Sequence, residues 1–404
     1  MHISAIICEY NPFHTGHAYH IAQTRALGAT HVVAIMSGNF VQRGEPALLN
    51  KWARARAALA GGADLVIELP LSWACASADR FAYGGVFLAN ALGCVQTLSF
   101  GSECGDISLL TQIAQAVISP QAQPLIQQGL ALGLPFAAAR QRAVAQLIGQ
   151  KRASTLGRAN DILGVEYLKA LRQLGSSITP IALPRAGAGH DAAPQGQYAS
   201  ASWLRQRLLA QPADFKSTLP YLPQDTIRIL QEEYASGRAP ACLSRLERGV
   251  LLRLRAMLPQ DFLLLPDVGE GLENRICAAV RQACSLPDAI DKIKTKRYTH
   301  ARIRRIILGA VLGLDRRRLE LPPPYLRVLG CNLRGREILR KARTTASLPV
   351  VMHPKDILSR YSPSTPEYEH FALESLASDF YHLTTPKVFP CGLDRTVNPV
   401  ILKT

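Results

Sequence analysis

The chain has 404 residues, 48% hydrophobic and 19% charged, a balance that excludes a mostly disordered or collagen-like protein. This length is long for a single hydrophobic core and predicts two domains. The net charge of +16 favours an acidic partner, with nucleic acid first and an anionic membrane surface second. Residues 1–215 carry 16 Lys and Arg against 11 Asp and Glu, whereas residues 216–404 carry 30 against 19. Alternatively, the excess of basic residues only keeps the protein surface well solvated and binds no acidic partner.

The nine cysteines are scattered, and none forms a C-x-x-C pair. Their odd number, and a first apolar run without a basic leader before it, predict reduced thiols in a cytoplasmic protein and no zinc site. No stretch reaches about 18 apolar residues without charged or polar breaks, so we expect no membrane-spanning segment.

The first half of the chain alternates short apolar runs with helical patterns. Strands are predicted at residues 3–8, 31–37, 64–69, 96–101 and 178–183, and helices at 16–27, 50–61, 78–92, 107–118, 137–148 and 162–174. This alternation favours a parallel sheet covered by helices on both faces. Such sheets bind ligands beyond the carboxyl ends of their strands, where the strand order reverses.

The second half is predicted to be mainly α-helical. Helices are predicted at residues 225–235, 243–257, 270–285, 299–314 and 335–345, with a lone strand at 348–353. A stretch with three prolines, residues 211–224, is expected to be a linker. We therefore expect an α/β catalytic domain at residues 1–215 and a basic, mainly helical domain at residues 216–404.

The turn after the first strand contains the pattern His14-x-Gly16-His17 at the start of a helix. Free N–H groups and the positive end of the helix dipole attract phosphate oxygens there, and a glycine lets a ligand approach the backbone. His14 and His17 can share one helix face and, as imidazolium or N–H donors, stabilise phosphate charge during an in-line displacement. The alternatives are ordinary capping residues, or a zinc site at His14, His17 and His20 that lacks a convincing further ligand.

A second candidate phosphate site is the segment 200–205, Ser-Ala-Ser-Trp-Leu-Arg, which opens another predicted helix. The hydroxyls of Ser200 and Ser202 lie near the helix start, and Arg205 follows one turn later. Taken alone, this segment is better explained by a serine N-cap and a solvated arginine, and only together with the His14-x-Gly16-His17 turn does it favour phosphate binding.

Together the two segments resemble the H-x-G-H and S-x-[ST]-x-x-R signatures of the nucleotidyltransferase superfamily. Longer stretches are similar to the tRNA(Met) cytidine acetate ligase family, namely residues 9–20 (EYNPFHTGHAYH), 36–46 (MSGNFVQRGEP), 62–70 (GADLVIELP), 100–103 (FGSE), 160–171 (NDILGVEYLKAL) and 295–305 (TKRYTHARIRR). The resemblance implies a parallel, Rossmann-like nucleotidyltransferase sheet with a second, mainly α-helical domain. Residues 185–191 depart from the family pattern because they lack its tyrosine.

The resemblance also implies an activity: acetylation of N4 of the wobble cytidine of elongator tRNA(Met), with acetate and ATP reacting through an acetyl-adenylate. Mg²⁺ is expected to accompany the ATP. Acetate and the target base follow from the resemblance alone. The residues implied in ATP binding are Ile7, Cys8, Glu9, Tyr10, Asn11, Pro12, Phe13, His14, Thr15, Gly16, His17, Ala18, Tyr19, His20, Gly101, Asn160 and Arg185.

Gly101, Asn160 and Arg185 also have physical reasons of their own to bind ATP. Gly101 ends a strand, where adenosine can lie against the backbone. Asn160 can hydrogen-bond adenine or ribose, and Arg185 can form a fork onto phosphates. Each is also explained singly as a turn glycine, a helix cap or a surface arginine.

A basic segment at residues 292–318 is the candidate RNA-binding surface. Its ten basic residues are Lys292, Lys294, Lys296, Arg297, Arg302, Arg304, Arg305, Arg316, Arg317 and Arg318, with Tyr298 and His300 between them. Basic side chains can contact phosphates and aromatic rings can stack on splayed bases. A solvated helix face is the alternative, and a second cluster at residues 334–343 gives weak further support.

Two other functions share these features. A plain adenylyltransferase acting on a small metabolite has the same fold and turn but no need of a basic helical domain. A non-catalytic RNA-binding protein with a degenerate nucleotide site is the second alternative.

Overall fold

The computed structural model describes residues 1–185, 194, 196–269, 271–317 and 321–403. The predicted helix start at residue 270, Arg318 and the departure at residues 186–191 lie outside them. Within the described residues the strands are β1 Ile3–Cys8, β2 His31–Ser37, β3 Phe40–Val41, β4 Glu45–Pro46, β5 Leu65–Leu69, β6 Thr97–Ser102, β7 Thr179–Pro184, β8 Leu326–Cys331, β9 Val350–Val351 and β10 Val400–Ile401.

The main sheet has the strand order β10-β8-β5-β2-β1-β6-β7, with β9 paired to β8. Its centre, from β5 through β2, β1 and β6 to β7, is parallel, which confirms the predicted α/β class. The residues of β2 and β5 are all buried. Both strands are mostly apolar because helices cover both faces of the sheet, and Glu68 of β5 is a buried charged exception.

Helices fill the connections between these strands. They are α1 Thr15–Ala26, α2 Lys51–Ala60, α3 Leu71–Ala74, α4 Ala78–Ala91, α5 Ile107–Ile118, α6 Ala122–Ala131, α7 Phe136–Ile148, α8 Gln150–Ala153, α9 Ala159–Gln173, α10 Ala201–Leu209, α11 Phe215–Thr218, α12 Gln224–Ala235, α13 Glu247–Ala256, α14 Pro259–Leu263, α15 Leu272–Gln282, α16 Leu286–Ile293, α17 His300–Leu312, α18 Leu333–Thr345, α19 Pro354–Leu358, α20 Pro366–His382 and α21 Leu393–Thr396. Short 3-10 turns occupy Ser154–Gly157, Leu219–Tyr221 and Leu243–Leu246.

Two apolar cores lie on the opposite faces of the sheet. One packs α4, α5, α9 and α18 against it, with Ile7 and Phe100 among the buried residues. The other packs α2, α10 and α12 against it and includes Ile6, Leu204 and Leu222. A third core holds α13 to α17 together around Phe262.

The second half of the chain contributes strands as well as helices. β8 joins the edge of β5 in the antiparallel direction, and β10 pairs with β8. The run predicted as a lone strand is instead paired, because Val350 and Val351 lie beside β8. The stretch expected to be a linker contains α11 and a 3-10 turn, and Phe215 and Tyr221 pack against the core under α2. A boundary at residue 215 stays a prediction.

A buried network of charges joins these late strands to the first half. Nζ of Lys51 lies 2.7 Å from Oε1 of Glu68 and 2.9 Å from Oδ2 of Asp394. Arg327 completes the network at 2.6 Å from Asp394 and 3.4 Å from Glu68. Burial raises the pKa of Asp394, but the two cations outweigh it and hold the pKa at about 2. The four charges therefore connect α2 and β5 to β8 and α21.

The second half adds a further buried carboxyl beside this network. Burial, followed by the charge of Glu68, raises the pKa of Glu374 to about 8, so this group is protonated at neutral pH. Its Oε1 accepts a hydrogen bond from the N–H of Leu71 at 2.7 Å.

All nine cysteines lie in described residues and are unpaired. No helix in the described part of the chain is long and apolar enough to cross a membrane.

Candidate functional site

A cavity of about 270 Å³ opens at the carboxyl ends of β1 and β6. These strands are neighbours, and the order continues to β2 on one side and to β7 on the other. The cavity therefore lies where the strand order reverses, the position that this kind of sheet offers to ligands.

The start of α1 forms one wall of the cavity. His14 is the N-cap of this helix, and its Nδ1 accepts the N–H of Gly16 at 3.1 Å. A Cβ at Gly16 would lie only 2.9 Å from Cε1 of His14, so glycine is what leaves room for the ring. The backbone N–H of His14 in turn donates to Nδ1 of His17 at 3.3 Å.

These bonds fix where the imidazole protons are. Because Nδ1 accepts a hydrogen bond in both His14 and His17, the proton of each neutral ring is on Nε2. The two rings are stacked, with centroids 3.7 Å apart. Nε2 of His20 lies 2.9 Å from Oγ of Ser99 on β6, which ties α1 to the sheet.

The three histidines are neutral at physiological pH. Burial, followed by the charges of Arg185 and Arg205, lowers the pKa of His14 to about 3. Burial and then His14 hold the pKa of His17 well below its usual value, and burial with Arg185 lowers the pKa of His20 to about 4. Of the two forms expected from the sequence, the neutral N–H donor is therefore the one present.

Arg185 is held over the opposite side of the cavity by a chain of hydrogen bonds. Its Nη1 donates to Oδ1 of Asn160 at 3.0 Å, and Nδ2 of Asn160 donates to Oε1 of Glu103 at 2.6 Å. Burial raises the pKa of Glu103, but hydrogen bonds from Asn160 and nearby backbone N–H groups outweigh it and lower the pKa. A Cβ at Gly101 would lie 3.3 Å from Cγ of Arg185, so this glycine admits the arginine stem.

The start of α10 closes the cavity from a third side. Ser200 caps the helix, with Oγ accepting the N–H of Trp203 at 3.2 Å, and lies 3.2 Å from Oγ of Ser202. Nη1 of Arg205 donates to the carbonyl of Asn11 at 2.8 Å. The structure thus brings both predicted phosphate-binding segments to one cavity.

Most of the predicted site residues line this cavity. They are Ile7, Cys8, Glu9, Tyr10, Asn11, His14, Gly16, His17, Tyr19, His20, Gly101, Asn160, Arg185, Ser200, Ser202 and Arg205. Pro12, Phe13, Thr15 and Ala18 are not among the lining residues. Phe13 is buried in the core, and the Thr15 hydroxyl donates to the carbonyl of Gln197, so these two residues support the turn from behind.

The β3–β4 hairpin brings two further polar residues to the cavity, Gln42 and Arg43. Both residues belong to the stretch 36–46 that resembles the family, but the sequence pattern predicts no role for either of them. Glu9 is the one carboxylate among the described lining residues, and its Oε1 accepts the N–H of Gln42 at 2.9 Å. Such a cavity suits a ligand that brings its own negative charge.

Arg54 lies beneath the turn and was also missed. Its side chain is fully buried, and its guanidinium donates to the carbonyls of Leu49 at 3.0 Å, Glu9 at 2.6 Å and Ser37 at 3.1 Å, and to that of Gly38. It therefore fixes the ends of β1 and β2 against α2. A buried cation bonded to carbonyls leaves no signal in a single sequence.

The basic segment divides into structural and exposed residues. Arg302 donates to the carbonyl of Asp267 at 2.7 Å, Arg305 pairs with the Asp267 carboxylate at 3.3 Å, and Arg316 donates to the carbonyl of Leu265 at 3.0 Å. These arginines hold the helices together, so the expectation of ten phosphate-binding side chains is too broad. Arg316 is both bonded in this way and exposed, and the other exposed members within the described residues are Lys292, Lys294, Lys296, Arg297 and Arg317.

Metal binding has little support from side chains alone. No group of three or more His, Cys, Asp or Glu in the described residues is arranged to hold a metal ion. Mg²⁺ prefers oxygen ligands and commonly arrives on the phosphates of its nucleotide. Glu9, the one carboxylate among the described lining residues, would be the side chain to hold such an ion.

Comparison with known proteins matches residues 1–392 to the model of the HIGH Nucleotidyl Transferase family. A tRNA(Met) cytidine acetate ligase of Acetivibrio thermocellus is 37% identical over 417 residues and covers 100% of both chains. One from Caldicellulosiruptor saccharolyticus is 38% identical over 392 residues, which is 95% of this chain and 94% of the relative.

Two solved structures have the same fold over the full length of both chains. The crystal structure of Thermotoga maritima TmcAL bound with alpha-thio ATP has a TM-score of 0.92 at 33% identity. The apo structure of the same protein has a TM-score of 0.94 at 34% identity.

Proposed function

The chain belongs to the HIGH nucleotidyl transferase family and, within it, to the tRNA(Met) cytidine acetate ligases, and from this membership we propose its function. It is an ATP-dependent ligase that acetylates a cytidine of tRNA(Met). We further propose that the cytidine is the wobble base of the elongator tRNA, that acetate is the acyl donor, and that the enzyme works in the cytoplasm.

The first step we propose is formation of acetyl-AMP. An acetate oxygen attacks the α-phosphorus of ATP, the bond from that phosphorus to the bridging oxygen breaks, and pyrophosphate leaves with the electron pair. The Nε2–H groups of His14 and His17 and the guanidinium groups of Arg185 and Arg205 converge on the cavity from three sides. Donors placed in this way stabilise charge as it spreads over phosphate oxygens.

The neutral state of the histidines suits this step. A polyphosphate adds negative charge close to Arg185 and Arg205, which in the free protein disfavour protonation of His14. The neutral rings can donate through Nε2 without first gaining a proton. Mg²⁺ bound to the phosphates would supply further charge neutralisation.

The second step transfers the acetyl group. The N4 amine of the cytosine attacks the carbonyl carbon of acetyl-AMP and loses a proton, the bond from that carbon to the phosphate oxygen breaks, and AMP leaves. Because the reacting amine is normally paired or stacked, the base must turn out of its loop to reach the cavity.

One observation carries the proposal. The two segments that resemble nucleotidyltransferase signatures are 186 residues apart in the sequence, from His14 to Ser200, and line the same cavity at the reversal of the strand order. A protein that only binds RNA has no use for this convergence.

The decisive experiment measures pyrophosphate release with ATP in the presence and absence of acetate, and then N4-acetylcytidine in added tRNA(Met) by mass spectrometry. We expect pyrophosphate release to depend on acetate and acetylcytidine to depend on both substrates. Release that depends on another small metabolite would support the plain adenylyltransferase, and the absence of both products would support the non-catalytic RNA-binding protein.

A further inference from the structure

A second cavity, of about 390 Å³, lies beside the candidate nucleotide site. It is open to solvent on one side and is bordered by the β3–β4 hairpin, α10 and helices of the C-terminal region, and we call it the second cavity. Its volume falls within the range of about 300–1,000 Å³ that is usual for small-ligand sites.

The walls and the rim of the second cavity differ in chemistry. Leu209, Leu243 and Ile290 give it apolar walls. The rim carries two pairs of opposite polarity: Nε2 of His300 lies 3.2 Å from Oδ1 of Asp291, and Arg304 lies 2.5 Å from Glu45. A nucleobase needs apolar surface for its faces and both donors and acceptors for its edges, and the second cavity offers each of these.

The position of the second cavity connects it to RNA. Arg205 lines both this cavity and the nucleotide cavity. On the other side, Asp291 and His300 flank a loop in which Lys294, Lys296 and Arg297 are exposed. Because the second cavity shares Arg205 with the nucleotide cavity and Asp291 and His300 with the flanks of this loop, an RNA that contacts both places nucleotides close to the second cavity.

We propose that the second cavity binds the base of one RNA loop nucleotide neighbouring the target cytidine. Binding one base here would hold the loop open and set the register of the cytidine against the acetyl-adenylate. The inference rests on the proposed function for the identity of the RNA, but binding of the RNA can be measured without the reaction.

The test uses the full-length protein and a labelled stem-loop RNA with the anticodon arm of a bacterial elongator tRNA(Met). Ile290→Trp fills the second cavity, and Ile290→Ala leaves it open but removes part of a wall. Leu252→Trp is the matched control, because Leu252 is 72% exposed on α13 and does not line the cavity. Fluorescence anisotropy gives the Kd of each variant, and circular dichroism verifies folding.

We expect Ile290→Trp to raise the Kd by about tenfold or more, a change of about 1.4 kcal/mol, because the indole would occupy the space of the base. Ile290→Ala should raise the Kd by a smaller factor, and Leu252→Trp should leave it unchanged. Acetate-dependent pyrophosphate release should be the same in all three variants, and its loss from the wild type would overturn the proposed function rather than this inference.

A set of RNAs, each with an abasic site at one loop position other than the target, identifies the bound base. At one position, the Kd of Ile290→Trp for the abasic RNA should be no higher than the Kd measured when only the protein or only the RNA is changed. This is expected when both changes remove the same contact. Additive effects at every position, or a Kd within twofold of the wild type for both Ile290 variants, would overturn the proposal. If neither Ile290 variant changed the Kd, a side chain of a partner protein would be the next occupant of the second cavity to test.

Discussion

The backbone N–H of His14 donates to Nδ1 of His17, while Nδ1 of His14 accepts the N–H of Gly16. Each hydrogen bond requires an unprotonated Nδ1, so the first turn of α1 itself selects the neutral tautomer with its proton on Nε2. A residue usually regarded as a cation near phosphates is here a neutral donor, held in place by backbone bonds.

Replacing His17 by alanine should remove one of these donors. We expect the rate of acetate-dependent pyrophosphate release to fall by about 10²–10³-fold, the cost typical of losing one donor to a developing charge. His353→Ala is the control, since His353 caps α19 and does not line the cavity. A His17→Ala enzyme with more than a tenth of the wild-type rate would exclude this role for His17.

The depressed pKa values of the histidines predict how stability depends on pH. His20 has a pKa of about 4 in the folded protein and about 6.5 in the unfolded chain. The unfolded state therefore binds more protons in this window, and the free energy of unfolding falls as the pH decreases through it. Between pH 6.5 and pH 5.5, each histidine with a pKa lowered in this way should decrease the free energy of unfolding by about 1 kcal/mol. Urea denaturation at both pH values should give a decrease about 1 kcal/mol smaller for His20→Gln than for the wild type. An equal decrease in both proteins would contradict a depressed pKa for His20.

The buried guanidinium of Arg54 predicts a large loss of stability on removal. Arg54→Met removes the guanidinium donor from the carbonyls of Glu9, Ser37 and Gly38, at about 1–3 kcal/mol for each group that stays buried and unpaired. We expect a loss of more than about 3 kcal/mol in denaturant unfolding. Arg56→Met, on the same helix, removes a half-exposed ion pair with Glu232 and should cost at most about 1 kcal/mol. Similar losses in the two variants would show that the carbonyls find other donors.

The bond between Asn160 and Arg185 predicts a coupled effect on ATP binding. Asn160→Ala releases the guanidinium and should raise the Kd for ATP by about tenfold, and Arg185→Ala should raise it at least as much. The double variant should bind no more weakly than Arg185→Ala alone, because Asn160 acts through that side chain. Isothermal titration calorimetry measures the three constants, with Asn90→Ala on the exposed side of α4 as control. Additive losses would mean that Asn160 contacts the nucleotide independently.

Gly44, in the turn of the β3–β4 hairpin, predicts a specific packing defect. A Cβ there would lie 2.4 Å from the backbone N of Arg305, and its φ is +74°. Gly133 provides the control, since its φ is +80° and a Cβ would meet nothing within 4 Å. Both alanine variants carry the conformational cost of a positive φ, about 1 kcal/mol, but Gly44→Ala must also separate the hairpin from α17. Thermal unfolding should therefore give a clearly lower Tm for Gly44→Ala, and equal values would show that the hairpin adjusts freely.

Periodicity in the sequence located the elements that build the site. β1 and β2 have the predicted bounds, and β5, β6 and β7 begin or end within one residue of them. Continuous apolar runs between helical patterns carry this information because both faces of the sheet are buried. Neither motif alone predicts that His14, Arg185 and Arg205 lie close together. That prediction required both motifs and the resemblance to the ligase family.

The missed elements have identifiable causes. β8 follows a proline-rich stretch in a helical region, and its pairing to β5 depends on residues about 260 positions away that no local pattern reveals. Helix α20 went unpredicted although Thr365 is its N-cap and Pro366 its first residue, because helical periodicity is weak after that start. The roles of Arg54 and Arg302 depend on backbone carbonyls, which every sequence has.

The antiparallel strand β8 has a consequence for the birth of the protein on the ribosome. The edge of β5 is covered only when β8 pairs with it. Lys51 and Glu68 likewise gain their further partners, Asp394 and Arg327, only after most of the chain has been translated. The nascent first half thus holds an uncovered sheet edge, and an ion pair without its two further partners, for most of its synthesis. We expect the residues from β8 onward to complete and stabilise the sheet. Nascent chains whose translation is arrested before β8 is made should therefore require chaperones to stay soluble.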